Sequence, residues 1–374
     1  MSNLNIDFIN PATGQTSGEL ANFFLNNKKL DVGLLRPYLD SKGRACISVY
    51  QGGDPKDEKS YKIIFVNNAT LRKDEWKALD EAVLKVARQR LVGIQDLIDR
   101  GLVYNLNNAL GTTILEWHSI SDGLDATITM DGITRALNDK LTFKYHYLPI
   151  PIIHADYSIN LRTLSASRNL GNGIDTYYAE EAAIKVSEKL ESLLFTDTTY
   201  SFGEKDSNNR NTIYSYINYP DRSTLQLSTP WDDLMSGSIK YGRQIITDVL
   251  AMKAASIECR HYGPWILYVP ANYEVVLDED YSNDLPNVTV RQRIKSIEGI
   301  IDVKVADLLP ADNVVLVQMT SDTVRLVNGL PIQNVEWQEE GKFIVKYKVM
   351  TIQVPQIRSD ANGYTGIVHL RPNK

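Results

Sequence analysis

Five histidines, two cysteines, one acidic cluster and one glycine-rich turn are the residues of this 374-residue chain whose types could do chemistry. The histidines (His118, His146, His154, His261, His369) could ligate zinc, which takes His and Cys at short, fixed spacings. None stands at such a spacing from another His, a Cys or an acid, so no metal site is assigned. Gly171-Asn172-Gly173 could cradle a phosphate. It lacks both the Gly-Lys-Ser/Thr ending of a P-loop and the further glycine of a dinucleotide fingerprint, and so reads as a plain turn. Asp278-Glu279-Asp280 with Asp284 could hold a divalent ion at an interface, with a solvated loop as the simpler reading. Neither Cys46 nor Cys259 has a neighbouring His, and no serine sits in a nucleophile elbow. The glycosylation sequons at Asn68-Ala69-Thr70 and Asn287-Val288-Thr289 carry no meaning without a secretory signal. The expectation is a chain that is not an enzyme, with no catalytic, cofactor-binding or metal-ligating residues and no cofactor.

Composition narrows the alternatives. A hydrophobic fraction of 43% allows a sizeable core. A net charge of −6 with dispersed basic residues argues against a face that grips nucleic acid. Two cysteines far apart do not make a disulfide framework and fit a reducing compartment. The start MSNLNIDFINPATG has no apolar core like that of a signal peptide, and no run approaches the roughly 18 apolar residues of a membrane span. The chain is expected to be soluble and intracellular when made. Twenty tyrosines suit interfaces, where the ring buries area and the hydroxyl stays polar, and suit a β-rich fold equally well.

The elements that would position these residues follow from hydrophobic period. Residues 1 to about 45 hold only short apolar groups and read as an extended arm. CISVY (46–50) and YKIIFV (61–66) read as strands around a loop. Thr70 is a plausible cap for a helix from Leu71 to about Leu91, with Trp76, Leu79, Val83, Val86 and Arg90 on one face. Residues 103–147 read as a projecting two-stranded β-excursion. An apolar strand through Leu148, Ile150, Ile152 and Ile153 leads by a polar connection to a long helix starting at Asp175. Its apolar face is Ala179, Ala182, Ala183, Val186, Leu190, Leu193 and Leu194, with Glu181 and Lys185 paired on the other side. An α/β region follows: a helix from Trp231 to about Glu258, the strand WILYVP (265–270), a short helix with Val290, Ile294 and Ile297, and strands at 303–305, 314–319 and 323–327. Beyond Pro331 a hairpin turns at Glu340-Gly341. Its second arm alternates Phe343, Val345, Tyr347 and Val349 with Lys346 and Lys348, and is expected to end at Pro355.

In this order the elements resemble the major capsid proteins of tailed bacteriophages and their relatives the encapsulins. LRKDEWKALDEAVLKVARQRLVG (71–93) resembles the N-terminal helix of encapsulins, and LPIPIIHADYSINLRTL (148–164) the strand entering their peripheral domain. Asp175 to Phe195 resembles the spine helix, and HYGPWILYVPANYEVVL (261–277) the Gly-Pro-aromatic strand of the axial domain. The resemblance covers roughly residues 70–370. It implies an α+β tailed-phage major-capsid fold with an N-terminal arm (1–70), an N-terminal helix region (71–102) and an extended β-loop (103–147). A peripheral domain with the long spine helix (148–222 and 331–374) and an axial α/β domain (223–330) complete it. The implied function is a structural one: self-assembly through pentamers and hexamers into an icosahedral virion shell enclosing double-stranded DNA without sequence-specific binding. Assembly would occur in the host cytoplasm, with no membrane, with a separate scaffolding protein, a portal and in some cases a decoration protein as partners. The alternatives are an encapsulin-type nanocompartment shell and, from another class, a soluble two-domain enzyme.

Overall fold

The computed structural model describes residues 36–51, 57–66, 71–90, 92–120, 128, 130, 143–169, 176–202, 212–232, 241–282, 285–337, 344–360 and 362–372. The arm before residue 36, the Thr70 cap, Gly171–Gly173, Asp175, Asp284 and the Glu340-Gly341 turn lie outside these residues.

At the centre is a five-stranded sheet in the order Ser223–Leu227, Ile367–Pro372, Val314–Gln318, Trp265–Val269, Ile300–Val305. Every residue of Trp265–Val269 and of Val314–Gln318 is buried, the continuous apolar pattern of strands covered on both faces. Alternate residues serve two cores. Trp265, Leu267, Val269, Val314 and Leu316 pack with Ile245, Val249, Val276 and Ile294 from the helices Tyr241–Glu258, Glu274–Asp278 and Val290–Lys295. Ile266, Tyr268, Val315 and Val317 belong to the other core, with the long helix Tyr177–Phe195, the first helix Lys73–Arg90 and the long hairpin.

That hairpin pairs Val324–Trp337 with Ile344–Ile357, flanked by Val103–Asn105 on one side and Ile153–Asn160 on the other. Over it lies the long helix, with Ala179, Ala183, Val186, Leu190 and Leu194 at most 1% exposed. Glu181 and Lys185 pair on its exposed side at 3.9 Å. Trp76, Leu79 and Val83 of the first helix are buried beside it, and the side chains of Val86 and Arg90 lie outside those described. Glu75 is anchored by Arg168, whose Nε and Nη2 donate to its two oxygens at 2.7 and 2.6 Å, a bidentate pair that fixes both partners.

Five expectations change. The excursion does not begin at 103, because Val103–Asn105 pairs in parallel with Leu326–Asn328. The polar connection after Ile153 is a strand, Ile153–Asn160, and a helix, Leu161–Asn169. Its Ile153, Ala155, Tyr157 and Ile159 alternate inward at period two, and Asn160 Oδ1 accepts from Arg162 N–H at 2.8 Å to start the helix. Trp231 and Asp232 form a turn, not the start of a helix; the Trp231 indole donates to Asp248 at 3.0 Å and stacks on Tyr273, which holds it out of helical register. Neither Pro331 nor Pro355 bounds the hairpin. Register shifts between Asn328 and Gln333 accommodate Pro331. Past Thr351 the second arm pairs, among the described residues, with the first arm alone, an edge position where proline's missing N–H is tolerated. Finally, the expected division at residue 331 falls inside a strand, and Ile367–Pro372 leaves the hairpin for the central sheet, parallel to Ser223–Leu227 and antiparallel to Val314–Gln318.

One polar cluster joins the long helix to the central sheet. The short helix Val92–Asp99 sits between them: Gly93 N–H donates to Glu191 at 2.8 Å, Tyr268 donates its hydroxyl proton to Asp96 at 2.8 Å, and Lys304 Nζ donates to the other Asp96 oxygen. Gly93 is required by close approach, since a Cβ there would lie 2.7 Å from Phe195.

Val186→Asp should cost more than about 4 kcal/mol, because it leaves an unpaired charge in a face that no water reaches. The check is soluble yield and a denaturant midpoint; a near-normal midpoint would show that this face is not core.

Candidate assembly surfaces

The histidines go to separate elements, and each described one is accounted for locally. His154 Nδ1 lies 3.2 Å from Asp156, and His261 Nδ1 lies 2.5 Å from Gln318 Oε1. His118 is edge-on to Phe143. His146 bonds Ser119 Oγ at 3.0 Å and lies flat on Trp117. His369 is buried, accepting at Nδ1 from Arg222 Nε and donating from Nε2 to Asn313 Oδ1 at 2.8 Å, a network that assigns the neutral tautomer. Burial first, then Arg222 and Arg371, push its pKa down to about 4. Among the described residues no group of three His, Cys, Asp or Glu side chains could hold a metal ion. Asp278 pairs with Arg291 at 2.9 Å, and Thr289 of the second sequon serves as the cap of a capping box with Gln292.

What the chain presents instead is unusual apolar surface on two small sheets. The excursion pairs Ile114–Ile120 with Phe143–Pro149 in seven antiparallel steps. Two strands alone are marginal in water, so a ribbon of this kind needs something to pack on. At its base Leu148 and Ile150 are buried, and Leu115 and Trp117 pack on the main core. Leu115, Trp117, Leu148 and His146 share one face by register. Glu116, His118, Tyr147, Tyr145 and Phe143 share the other, on which Phe143 and Tyr145 are about half exposed. Between the ribbon and the body runs a cleft of about 730 Å³, lined among others by Trp117, Tyr145, Tyr214, Tyr219 and Pro355.

The second sheet lies ahead of the first helix, in the order Tyr38–Leu39, Ala45–Tyr50, Tyr61–Phe65. Sequence periodicity located its two longer strands. It is tied to the first helix by the Arg36–Asp80 ion pair at 2.5 Å and by the Trp76 indole, which donates to the Pro37 carbonyl at 2.9 Å. Ile47, Val49 and Ile64 on one face are buried. On the other, Tyr50, Tyr61, Ile63 and Phe65 form an exposed row, with the Arg44 guanidinium over the Phe65 ring. Both sheets turn aromatic and β-branched side chains outward, the residue types enriched where proteins meet.

Sequence reasoning missed the Glu191–Asp96 cluster. The signal was available in position: Ala183, Ser187 and Glu191 follow at four-residue steps, which carries a carboxylate into the apolar stripe of the long helix.

Residues 66–370 match a family described as a family of unknown function (DUF6260). Over 127 residues, 33% of the chain, it is 29% identical to the type 1 encapsulin shell protein EncA of Myxococcus xanthus (strain DK1622); the match spans 42% of that protein's length. Among solved structures, the virus-like particle from Pyrococcus furiosus is similar with a TM-score of 0.54 and 16% identity, over 80% of this chain and 98% of that one. The capsid of Myoviridae phage XM1 is similar with a TM-score of 0.53 and 12% identity, over 76% and 92%. The chain therefore has the fold of phage capsid subunits and encapsulin-like shell subunits.

His369 supplies a pH signature. Its folded pKa lies below the ordinary 6.5, so its contribution is full above about 6.5 and is lost as pH falls toward 4, where the unfolded chain binds the extra proton. Urea unfolding at about pH 7 and about pH 4.5 should show His369→Gln losing less stability on acidification than the parent chain; equal losses would place the ring in contact with water.

Proposed function

From a chain that belongs to the DUF6260 family and carries the capsid and encapsulin fold, we propose a major capsid protein: a structural subunit that assembles into the icosahedral head of a tailed phage around double-stranded DNA. The observation that carries the proposal is the fold together with two outward-facing aromatic sheets that the subunit's own core does not cover. In this proposal residues 1–70 are the arm, the ribbon between about 107 and 149 lies across a neighbour, and the central sheet with its three helices is the axial domain. The hairpin, its flanking strands and the long helix are the peripheral domain.

Assembly is the mechanism. Repeated contacts, each weak enough to reverse, add by avidity, and closed symmetry stops growth. A net charge of −6 per subunit suits a container that does not grip its DNA, with residual repulsion screened over about 10 Å. A separate scaffolding protein, a portal and a decoration protein belong to the same proposal.

The second reading is an encapsulin-type nanocompartment, favoured by the partial identity to EncA. Purified particles decide: nuclease-protected DNA supports the phage head, and a co-purifying enzyme supports the compartment.

Wild-type protein should form closed particles of megadalton mass by light scattering and electron microscopy; a small discrete oligomer would overturn the shell. The double variant Phe143→Glu, Tyr145→Glu should fold with stability within about 0.5 kcal/mol of wild type, since both positions are exposed, yet form no shells. Normal shells from that variant would remove the ribbon's outer face from the interface.

A further inference from the structure

Two buried carboxylates lie close together where the long helix meets the central sheet, and one of them, Asp96, holds the Lys304 ammonium. Glu191 is 5% exposed and Asp96 is 3% exposed. Asp96 is fully engaged, one oxygen on Lys304 Nζ and the other on the Tyr268 hydroxyl. Among the described residues the donors to Glu191 are backbone amides at the start of the short helix Val92–Asp99: Gly93 N–H at 2.8 Å, Ile94 N–H at a marginal 3.5 Å, and the Val92 amide. Helix-start amides favour an anion, while burial and the nearby Asp96 oppose one. With both carboxylates ionised the cluster is one negative charge in excess. With a proton on Glu191 it is neutral, and the unprotonated oxygen still accepts from Gly93.

The ionisable groups around Glu191 come from several elements. The short helix brings Asp96, the central strand Trp265–Val269 brings Tyr268, and the turn after Thr212–Ile213 brings Tyr216. Lys304 of the edge strand reaches the cluster through Asp96. The other elements packed on the long helix bring Tyr157, Tyr347, Glu336 and the Glu75–Arg168 pair. The Tyr216 hydroxyl is buried with no hydrogen-bond partner among the described residues, a free acceptor in the same cluster. Burial first, moderated by the Gly93, Ile94 and Val92 amides and reinforced by Asp96, pushes the Glu191 pKa up to about 7.

We propose that Glu191 and Asp96 form a protonation-controlled latch that holds the short helix between the long helix and the central sheet while Glu191 is neutral, and loosens that helix when Glu191 gives its proton to solvent. The place is mechanically apt, because the short helix is the polar bridge between the two elements and Gly93 leaves no slack beneath Phe195. A second negative charge beside one ammonium must be met by water or by displacement of the helix. The proposal concerns a single subunit, so its outcome is independent of what that subunit builds.

The sign is fixed by the direction of the shift. A carboxyl whose folded pKa is raised contributes fully below its ordinary value of 4.5 and loses that contribution as pH rises to about 7. Hydrogen exchange on the full chain at about pH 5.5 and about pH 8, corrected for chemical rates and with light scattering confirming one oligomeric state, tests it. Amide protection over residues 92–99 should fall at least about tenfold across that window in wild type and stay level in Glu191→Gln. Flat protection in wild type, or an undiminished fall in Glu191→Gln, overturns the latch. Should Glu191→Gln fail to fold, the infrared difference spectrum of wild type between the same pH values should lose a protonated carboxyl band. Absence of that band overturns the latch equally.

Discussion

The subunit depends on a sheet whose inner strands, Trp265–Val269 and Val314–Gln318, have no solvent face. In Trp265–Val269 each successive side chain enters a different core, so the strand is at once the floor of one half and the ceiling of the other. Both halves draw on it: the helices Tyr241–Glu258 and Val290–Lys295 bury Ile245, Val249 and Ile294 in the core that Trp265, Leu267 and Val269 line, and Phe195 of the long helix meets Tyr268 edge-on at 5.0 Å on the other side. The register is correspondingly unforgiving, since a one-residue slip would exchange the two cores' side chains. Gly299, at φ +87°, shows how close the packing is; a Cβ there would lie 2.5 Å from the Trp265 ring. Return of the chain at Ile367–Pro372 to lie between Ser223–Leu227 and Val314–Gln318 pins some 140 intervening residues to one wall, a closure whose entropy cost grows only slowly with loop length.

The sequence was most legible where the apolar pattern is plain. The long helix, the first helix and the hairpin's second arm carry a one-sided period, WILYVP and VVLVQM a continuous apolar run, and each forms the element its pattern predicts. Ile153–Asn160 was obscured because its polar alternates, His154, Asp156 and Ser158, make the segment look like a connection unless the inward set is read alone. Prolines misled in the opposite direction: Pro331 and Pro355 look like strand ends, but a register shift and a half-edge position accommodate them. The sheet assignment of Ile367–Pro372 was out of reach, because partner choice depends on non-local pairing that no local period encodes.

The candidate surfaces were legible only as an absence of chemistry. The five histidines occupy five separate hydrogen-bond or ring environments. Periodicity could mark the ribbon's strands but not which face would be uncovered; that follows from Leu148 and Trp117 turning toward the core, which by alternation puts Tyr145 and Phe143 on the other face, about half exposed at the mouth of the cleft. A two-stranded ribbon is marginal without a surface to pack on. Its half-exposed aromatics are either a standing aggregation hazard or a contact awaiting a neighbour, and the fold favours the neighbour.

Two buried titratable groups pull the subunit's stability in opposite directions. His369 disfavours its cation and so penalises acid between about 6.5 and 4. Glu191 disfavours its anion and so penalises base between 4.5 and about 7. Through most of the overlap the two slopes oppose each other. Above about 6.5 the histidine no longer titrates, and only the carboxylate's unfavourable slope remains. They also act in different places. The ring lies on the closing strand of the central sheet, bonded to Arg222 and Asn313, while the carboxyl lies under the short helix on the opposite core. Acid therefore strains the wall and base strains the bridge against it. A near-constant global stability can thus conceal a shift in which contact yields first.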